Sequence, residues 1–235
     1  MTAHHFLAPS VEGDTITLTG QEARHAARAL RVRAGETVTV TDGRGSVVEG
    51  VVSGEPRSTV AIQVRSRATV PAPVPRVVVH PAVPASGKLE LVVQKLTEIG
   101  VDRIVPWFAE RTVVRWDAAK RSRHGERLRA VAREASKQSK RAWLPDVVDP
   151  VDGVEAAGLM LVFHEGAEVP LRTVRLEGSD IGIVIGPEGG LTAEEVERLT
   201  AVGGVSVGLG AAILRAETAA IVASALVMAR IGRLG

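Results

Sequence analysis

Cysteine and tyrosine are both absent from the 235 residues, and phenylalanine and tryptophan supply only three residues each. Without a thiol there is no disulfide, no thiolate zinc site and no cysteine nucleophile. Such a chain suits a reducing compartment, so a cytoplasmic location is expected. With aromatics at 3% and hydrophobic residues at 45%, the interior has to be built from Val, Ile, Leu and Ala. No window approaches the roughly 20 consecutive apolar residues that span a membrane. The opening MTAHHFLAPS has no basic stretch followed by a long apolar run, so a soluble protein without signal peptide or membrane partner is expected. His4, His5, His25, His80, His124 and His164 are scattered and do not form a helical metal-ligand pair, so no metal is expected. Nucleoside triphosphate, dinucleotide and serine-hydrolase fingerprints (G-x-x-x-x-G-K-[ST], G-x-G-x-x-G, G-x-S-x-G) are missing too.

What is present begins with an uneven charge. The net value is only +2, yet Arg115 to Arg141 carries ten Lys/Arg against three Asp/Glu, and Asp146 to Ala212 carries three against twelve. A local positive surface on an otherwise acidic protein can hold a polyanion, although a solvated helix face would look the same.

The first 67 residues read as β-rich, with strand-like runs at Thr15–Leu18, Thr37–Thr41, Ser46–Val52 and Ser58–Val64 around one helical segment, Gln21–Leu30. A small barrel-like domain is expected over 1–67. Residues 68–75 hold three prolines in eight positions, which predicts a semi-rigid extended linker. From Arg76 onward strands and helices alternate. Strands are expected at Arg76–His80, Ile104–Phe108, Leu159–Phe163, Ile181–Ile185 and Val205–Leu209, and helices at Gly87–Ile99, Ala118–Ser139, Ala193–Val202 and Glu217–Ile231. That alternation predicts a mostly parallel α/β sheet over 76–235. Helix 217–231 is apolar nearly all round, so it belongs in a core or against a partner.

Open α/β sheets bind ligands beyond the carboxyl ends of their strands. The last three strands lead into His164-Glu165-Gly166, Gly186-Pro187-Glu188-Gly189-Gly190 and the run from Gly208 to Arg215. Their glycines allow close backbone approach, and Thr192-Ala-Glu-Glu195 has capping-box spacing for the helix after the second turn. Any one of these turns could be an ordinary connection; three on successive strands predict a small-molecule pocket. Pattern reading by itself goes no further than this pocket beside a basic flank.

The residues in those turns carry a resemblance. IGPEGG at 185–190, Leu209-Gly210 and ILRAETA at 213–219 resemble the RsmE family of 16S ribosomal RNA uracil-N3 methyltransferases, within the SPOUT superfamily. Gln94–Val101, Glu110-Arg111, Glu134–Gln138 with Arg141 and Pro145, and His25, Leu30-Arg31, Gly35 and Asp42-Gly43 extend it over nearly the whole chain. His4-His5-Phe6 departs from it, with His where the family often has Arg.

The resemblance implies a PUA-like RNA-binding β-barrel followed by a SPOUT α/β domain with a C-terminal trefoil knot. It implies a pocket for S-adenosylmethionine formed by Gly186, Pro187, Glu188, Gly189, Leu209, Gly210, Ile213, Leu214 and Arg215, with Glu165 from the first turn. It further implies a homodimer through the knot region and last helix, acting on 16S rRNA of the small ribosomal subunit. On that footing Arg215 is the candidate for stabilising charge on the uracil oxygens. Glu217 is the candidate acid/base or the group that orients Arg215, and a purely structural Arg215–Glu217 pair is the plain alternative. Arg31, Arg129, Arg133, Lys137, Lys140 and Arg141 are candidates for RNA phosphates; four of them fall at helical spacings of four, four and three. Trp107, Trp116 and Trp143 could stack on a base, though buried packing suits each. Two rival readings are a SpoU-like ribose 2′-O methyltransferase and a non-catalytic rRNA-binding assembly factor.

Overall fold

The computed structural model describes residues 4–154 and 158–235. The chain forms two compact units. One comprises residues 1–72 together with 136–144; the other comprises 73–135 and 145–235.

The smaller unit is a five-stranded sheet of β1 (His4–Leu7), β2 (Thr15–Leu18), β3 (Thr37–Thr41), β4 (Ser46–Ser53) and β5 (Val60–Thr69), in the order β1-β3-β4-β5-β2. Only β1 and β3 run parallel. Strand alternation puts Ile16, Leu18, Val38, Val40, Val48, Val52, Val60 and Ile62 into one core with Phe6. β5 continues five residues past the expected end at Val64, because Ser66–Thr69 pair with Glu49–Ser46 of β4. The expected helix Gln21–Leu30 is split into α1 (Gly20–Arg24) and a π-helical turn over His25–Ala29, closed by Leu30 N–H on the His25 carbonyl at 3.0 Å.

Residues 136–144 complete this unit through hydrogen bonds. The Ala142 carbonyl accepts from Gly45 N–H (3.0 Å) and Thr41 Oγ1 (3.1 Å), Leu144 N–H donates to the Gly43 carbonyl, and Trp143 Nε1 donates to the Val70 carbonyl at 2.9 Å. The Lys137 ammonium is 2.9 Å from Glu22.

The larger unit is a six-stranded, wholly parallel sheet in the order β13-β11-β12-β6-β7-β9. Its strands are β6 (Arg76–Pro81), β7 (Arg103–Ile104), β9 (Asp146–Val147), β11 (Leu159–Phe163), β12 (Asp180–Ile185) and β13 (Val205–Val207). VVVH, LMLVF and IGIVI are continuous apolar runs because β6, β11 and β12 are covered on both faces. The expected strand 104–108 divides at Pro106, which has no N–H for a ladder: β7 joins the main sheet and β8 (Trp107–Phe108) pairs with β10 (Val151–Asp152). Of the helices, α2 (Leu89–Ile99) and α5 (Ala216–Arg230) pack together over β6 and β12, and α4 (Ala193–Ala201) lies by β11 and β13. Helix α3 (Ala118–Gln138) carries the basic run. None of the described helices is long and apolar enough to cross a membrane.

His80, on β6, is buried, and its Nδ1 has no hydrogen-bond partner among the described residues. Burial, helped by Arg103, lowers its pKa from 6.5 to about 4. A histidine kept neutral by the fold must charge on unfolding, so the stability it contributes is complete above about pH 6.5 and is lost as pH falls toward about 4. The loss is of order 3 kcal/mol. Denaturant titrations across that interval should show it, and His80→Leu should flatten the curve; an unchanged curve in the variant would assign the acid sensitivity elsewhere.

Candidate active site

Because the large sheet is parallel and β13, β11, β12 and β6 are successive neighbours, the turns after these strands leave it at one edge. After β11, Gly166 N–H donates to His164 Nδ1 at 3.2 Å, which leaves the proton on Nε2 to donate to Ser206 Oγ at 2.7 Å. His164 thereby ties the first turn to β13. Partial burial lowers its pKa, against a smaller opposing effect of Glu165, which is exposed.

After β12, Gly186 and Pro187 are buried while Glu188 and Gly189 are exposed. Gly190 N–H closes the turn on the Pro187 carbonyl at 2.9 Å. A Cβ on Gly186 would come to 3.0 Å from Leu191 Cγ and 3.1 Å from the Leu191 nitrogen, so a side chain there would require Leu191 to give way by a few tenths of an ångström. The Glu188 carboxylate reaches the turn after β6, accepting from Ala85 N–H (3.2 Å) and Ser86 N–H (3.3 Å). Arg111 Nη1 donates to the Gly189 carbonyl at 2.9 Å. Behind the turn α4 starts with the capping box read from the sequence: Glu195 N–H donates to Thr192 Oγ1, and Thr192 N–H donates to Glu195. Glu195 also accepts Glu110 N–H at 2.9 Å, and the Glu110 side chain accepts from Thr192 Oγ1 and Arg198. Glu110 and Arg111 together therefore fix both the turn and the helix that follows.

After β13, Gly210 takes φ +116°, a conformation that side chains disfavour. Ile213 is 84% exposed, Leu209 and Leu214 are half-buried, and Arg215 is exposed at the N-cap of α5. In the first turn of α5, Glu217 is buried, with Lys88 Nζ at 2.7 Å from its carboxylate. The Lys88 hydrogen bond first, then the Glu217 backbone N–H, with Arg215 a smaller contribution, hold its pKa below the usual carboxylate range. At neutral pH Glu217 is thus an ionised partner of Lys88. That departs from the expected Arg215–Glu217 pair: the near ammonium comes from the turn before α2, 129 residues away in sequence.

Two family models match this chain. One described as an RNA methyltransferase domain covers residues 70–228, and one described as an RNA methyltransferase PUA domain covers residues 18–65. A Mycobacterium bovis protein named Ribosomal RNA small subunit methyltransferase E is 37% identical over 228 residues, spanning 90% of this chain and 85% of its own. The chain belongs to the ribosomal RNA small subunit methyltransferase E family. The methyltransferase E of Bacillus subtilis is 32% identical over 90% of this chain and 89% of its own. Among solved structures, a methyltransferase from Legionella pneumophila in complex with SAM superposes with a TM-score of 0.88 at 25% identity, covering 98% of each chain.

As a methyltransferase E, the chain distributes its candidate RNA contacts unevenly. Arg31, Arg133 and Lys140 are exposed, Arg31 and Lys140 at φ +52° and +55°, and Arg141 is half-buried. Arg129 pairs with Asp149 at 2.7 Å. Lys137 leaves the expected row altogether: its side chain is 6% exposed and its ammonium is held by Glu22. Trp107 is buried, donating to the His80 and Ile185 carbonyls. Lys88 was not among the residues that the sequence pointed to for this candidate site. Glu110-Arg111 carries part of the family resemblance with no role attached, and the position of the pair just after β8 was the available signal.

Proposed function

We propose that the chain methylates N3 of a uridine in 16S rRNA of the small ribosomal subunit, with S-adenosylmethionine as methyl donor. The observation that carries this is that the 186–190 and 208–215 turns leave the same edge of a parallel sheet, where Lys88 and Glu217 also pair, in a member of this family. The residues fit the cofactor. The tight turn at Gly186 presents backbone, Leu209, Ile213 and Leu214 offer apolar surface to an adenine, and the acidic edge with Glu165 and Glu188 suits a sulfonium and an ammonium. Gly186, Pro187, Glu188, Gly189, Leu209, Gly210, Ile213, Leu214 and Arg215 would hold it, Glu188 mainly by building the turn after β6.

The bound cofactor supplies an electrophilic methyl group. The protein's own residues then orient the uracil and exclude water. As the N3–H bond breaks and its proton passes out to bulk solvent, Arg215 stabilises the negative charge that develops on the uracil oxygens until N3 takes the methyl group. Glu217 stays a carboxylate and holds the Lys88 ammonium beside it.

The same reading takes residues 1–67 as a PUA-like RNA-binding barrel, 68–75 as a linker and 76–235 as a SPOUT domain working in the cytoplasm. A trefoil knot is supported by the path of the chain. After edge strand β13 the polypeptide returns as α5 beneath β12 and β6, and Arg230 of α5 holds the Leu171 and Val174 carbonyls of the β11–β12 connection. The reading includes a homodimer through the knot region and α5, whose residues are apolar nearly all round and leave Leu226 exposed. Arg31, Arg129, Arg133, Lys140 and Arg141 would meet RNA phosphates.

Incubation with labelled S-adenosylmethionine and unmethylated small subunits, followed by nucleoside analysis, should yield 3-methyluridine. A 2′-O-methylated nucleoside, or no label at all, would overturn the assignment.

A further inference from the structure

The first half of α3 carries an arrangement that the methyl-transfer site does not use. Trp116, just before the helix, stands edge-on to buried Phe108, with centroids 5.5 Å apart at 82°, and lies flat on His124, with centroids 3.9 Å apart at 9°. The rings form a ladder that starts in the core and reaches the surface at His124, which is half-buried. Lys120 Nζ sits 5.7 Å from the Trp116 ring. Arg121 covers Phe108 and binds Asp152 through two hydrogen bonds of 2.9 Å, so it serves the fold.

Helical spacing puts Lys120 and Arg127 on the face of the imidazole, and Arg123, one residue before it, borders that face; all three are exposed. From α2, Glu90 is the acidic group acting on it, and Glu90 is paired with Arg127 at 2.7 Å. His124 therefore lies among three cations and one anion that is already engaged. Burial first, then Lys120 and Arg127 against the opposing Glu90, and Arg123 last, lower its pKa below 6.5. Arg127, though paired with Glu90, keeps a side chain 66% exposed, whereas Lys137 in the second half of the helix is buried against Glu22.

We propose that Lys120, Arg123, Arg127 and His124 form a phosphate-binding patch for single-stranded RNA, where the imidazole takes up a proton as the RNA docks. This rests on the RNA-methyltransferase reading and adds to it a separate contact surface with its own pH dependence. The cations disfavour a fourth positive charge; a phosphate placed among them removes that penalty and favours the imidazolium. By linkage, proton uptake on binding requires affinity to rise as pH falls toward the histidine range. Phosphodiesters do not titrate there, so the slope belongs to the protein. A fixed ring ladder beside the cations also suits unpaired bases, which stack on aromatic faces.

Fluorescence anisotropy of the full chain with a fluorescein-labelled oligouridylate, at constant salt between about pH 8 and about pH 6, tests the proposal. Wild type should bind several-fold tighter at the lower pH. His124→Gln should bind like wild type at the higher pH and lose most of the gain. Lys120→Ala with Arg123→Ala should weaken binding at every pH and lower the logarithmic salt slope by about 1 to 2. A His124→Gln protein that keeps the full pH gain, or a double variant with unaltered affinity and salt slope, overturns the patch. Calorimetry with S-adenosylmethionine on the same samples reports folding and tests the enzymatic reading separately. Cofactor binding without the pH gain removes the patch alone, and the pH gain without cofactor binding removes the methyltransferase assignment alone.

Discussion

Arg215→Ala should lower methyl transfer by roughly a hundredfold or more while S-adenosylmethionine affinity stays within a few-fold. The guanidinium lies at the start of α5, exposed, and close enough to Glu217 to help depress its pKa. On the proposed N3-uridine chemistry, charge on the uracil oxygens is small in the bound substrate and large once N3 has lost its proton, so a cation there acts chiefly on the transition state. Single-turnover rates on unmethylated subunits, set beside calorimetric cofactor binding, separate the two effects. Arg215→Lys should recover part of the rate, because a point charge replaces only some of what a planar fork offers. Wild-type turnover in the alanine variant would remove Arg215 from the reaction.

The largest effect on stability is expected at the other end of α5. Arg233 donates to the Pro75 carbonyl (3.0 Å), the Gly100 carbonyl (2.8 Å) and both oxygens of Asp102 (2.6 and 2.8 Å). Asp102 in turn accepts Val77 N–H at 2.8 Å, so one guanidinium joins the C-terminus to the first strand of the sheet and to the end of α2. The pair is largely buried, with side chains 18% and 9% exposed. Removing one partner of such a pair strands the other charge, and Arg233→Ala should cost about 3 kcal/mol. For a chain of this size that lowers Tm by roughly 6–12 °C. A differential scanning calorimetry shift under about 2 °C would show that water replaces the guanidinium at little cost.

Features that depend on neighbours in sequence were legible in it. Uninterrupted apolar runs gave β6, β11 and β12 nearly to the residue, and Thr192 with Glu195 gave the start of α4. The glycine-bearing turns could be read as a site because strand order in a parallel sheet brings such turns to one edge. Features that depend on distant residues were not. Nothing in the helical period of α3 tells that Lys137 is drawn into a buried pair with Glu22, 115 residues earlier. Lys88 and Glu217 each look like ordinary helix-start charges until folding puts them 2.7 Å apart. Pro106 is a local signal for the division of 104–108, set among apolar residues that look like one continuous strand.

The detour by which residues 136–144 close the N-terminal sheet also bears on how the protein is made. A polypeptide emerging from the ribosome would have exposed the whole of β1 to β5 long before Ala142 is available to receive the Thr41 hydroxyl and Gly45 amide, or Lys137 to neutralise Glu22. The first unit in sequence is therefore unfinished when its own five strands have been made. Its completion waits on translation through Leu144, so an isolated fragment ending at residue 72 would be a poor surrogate for it.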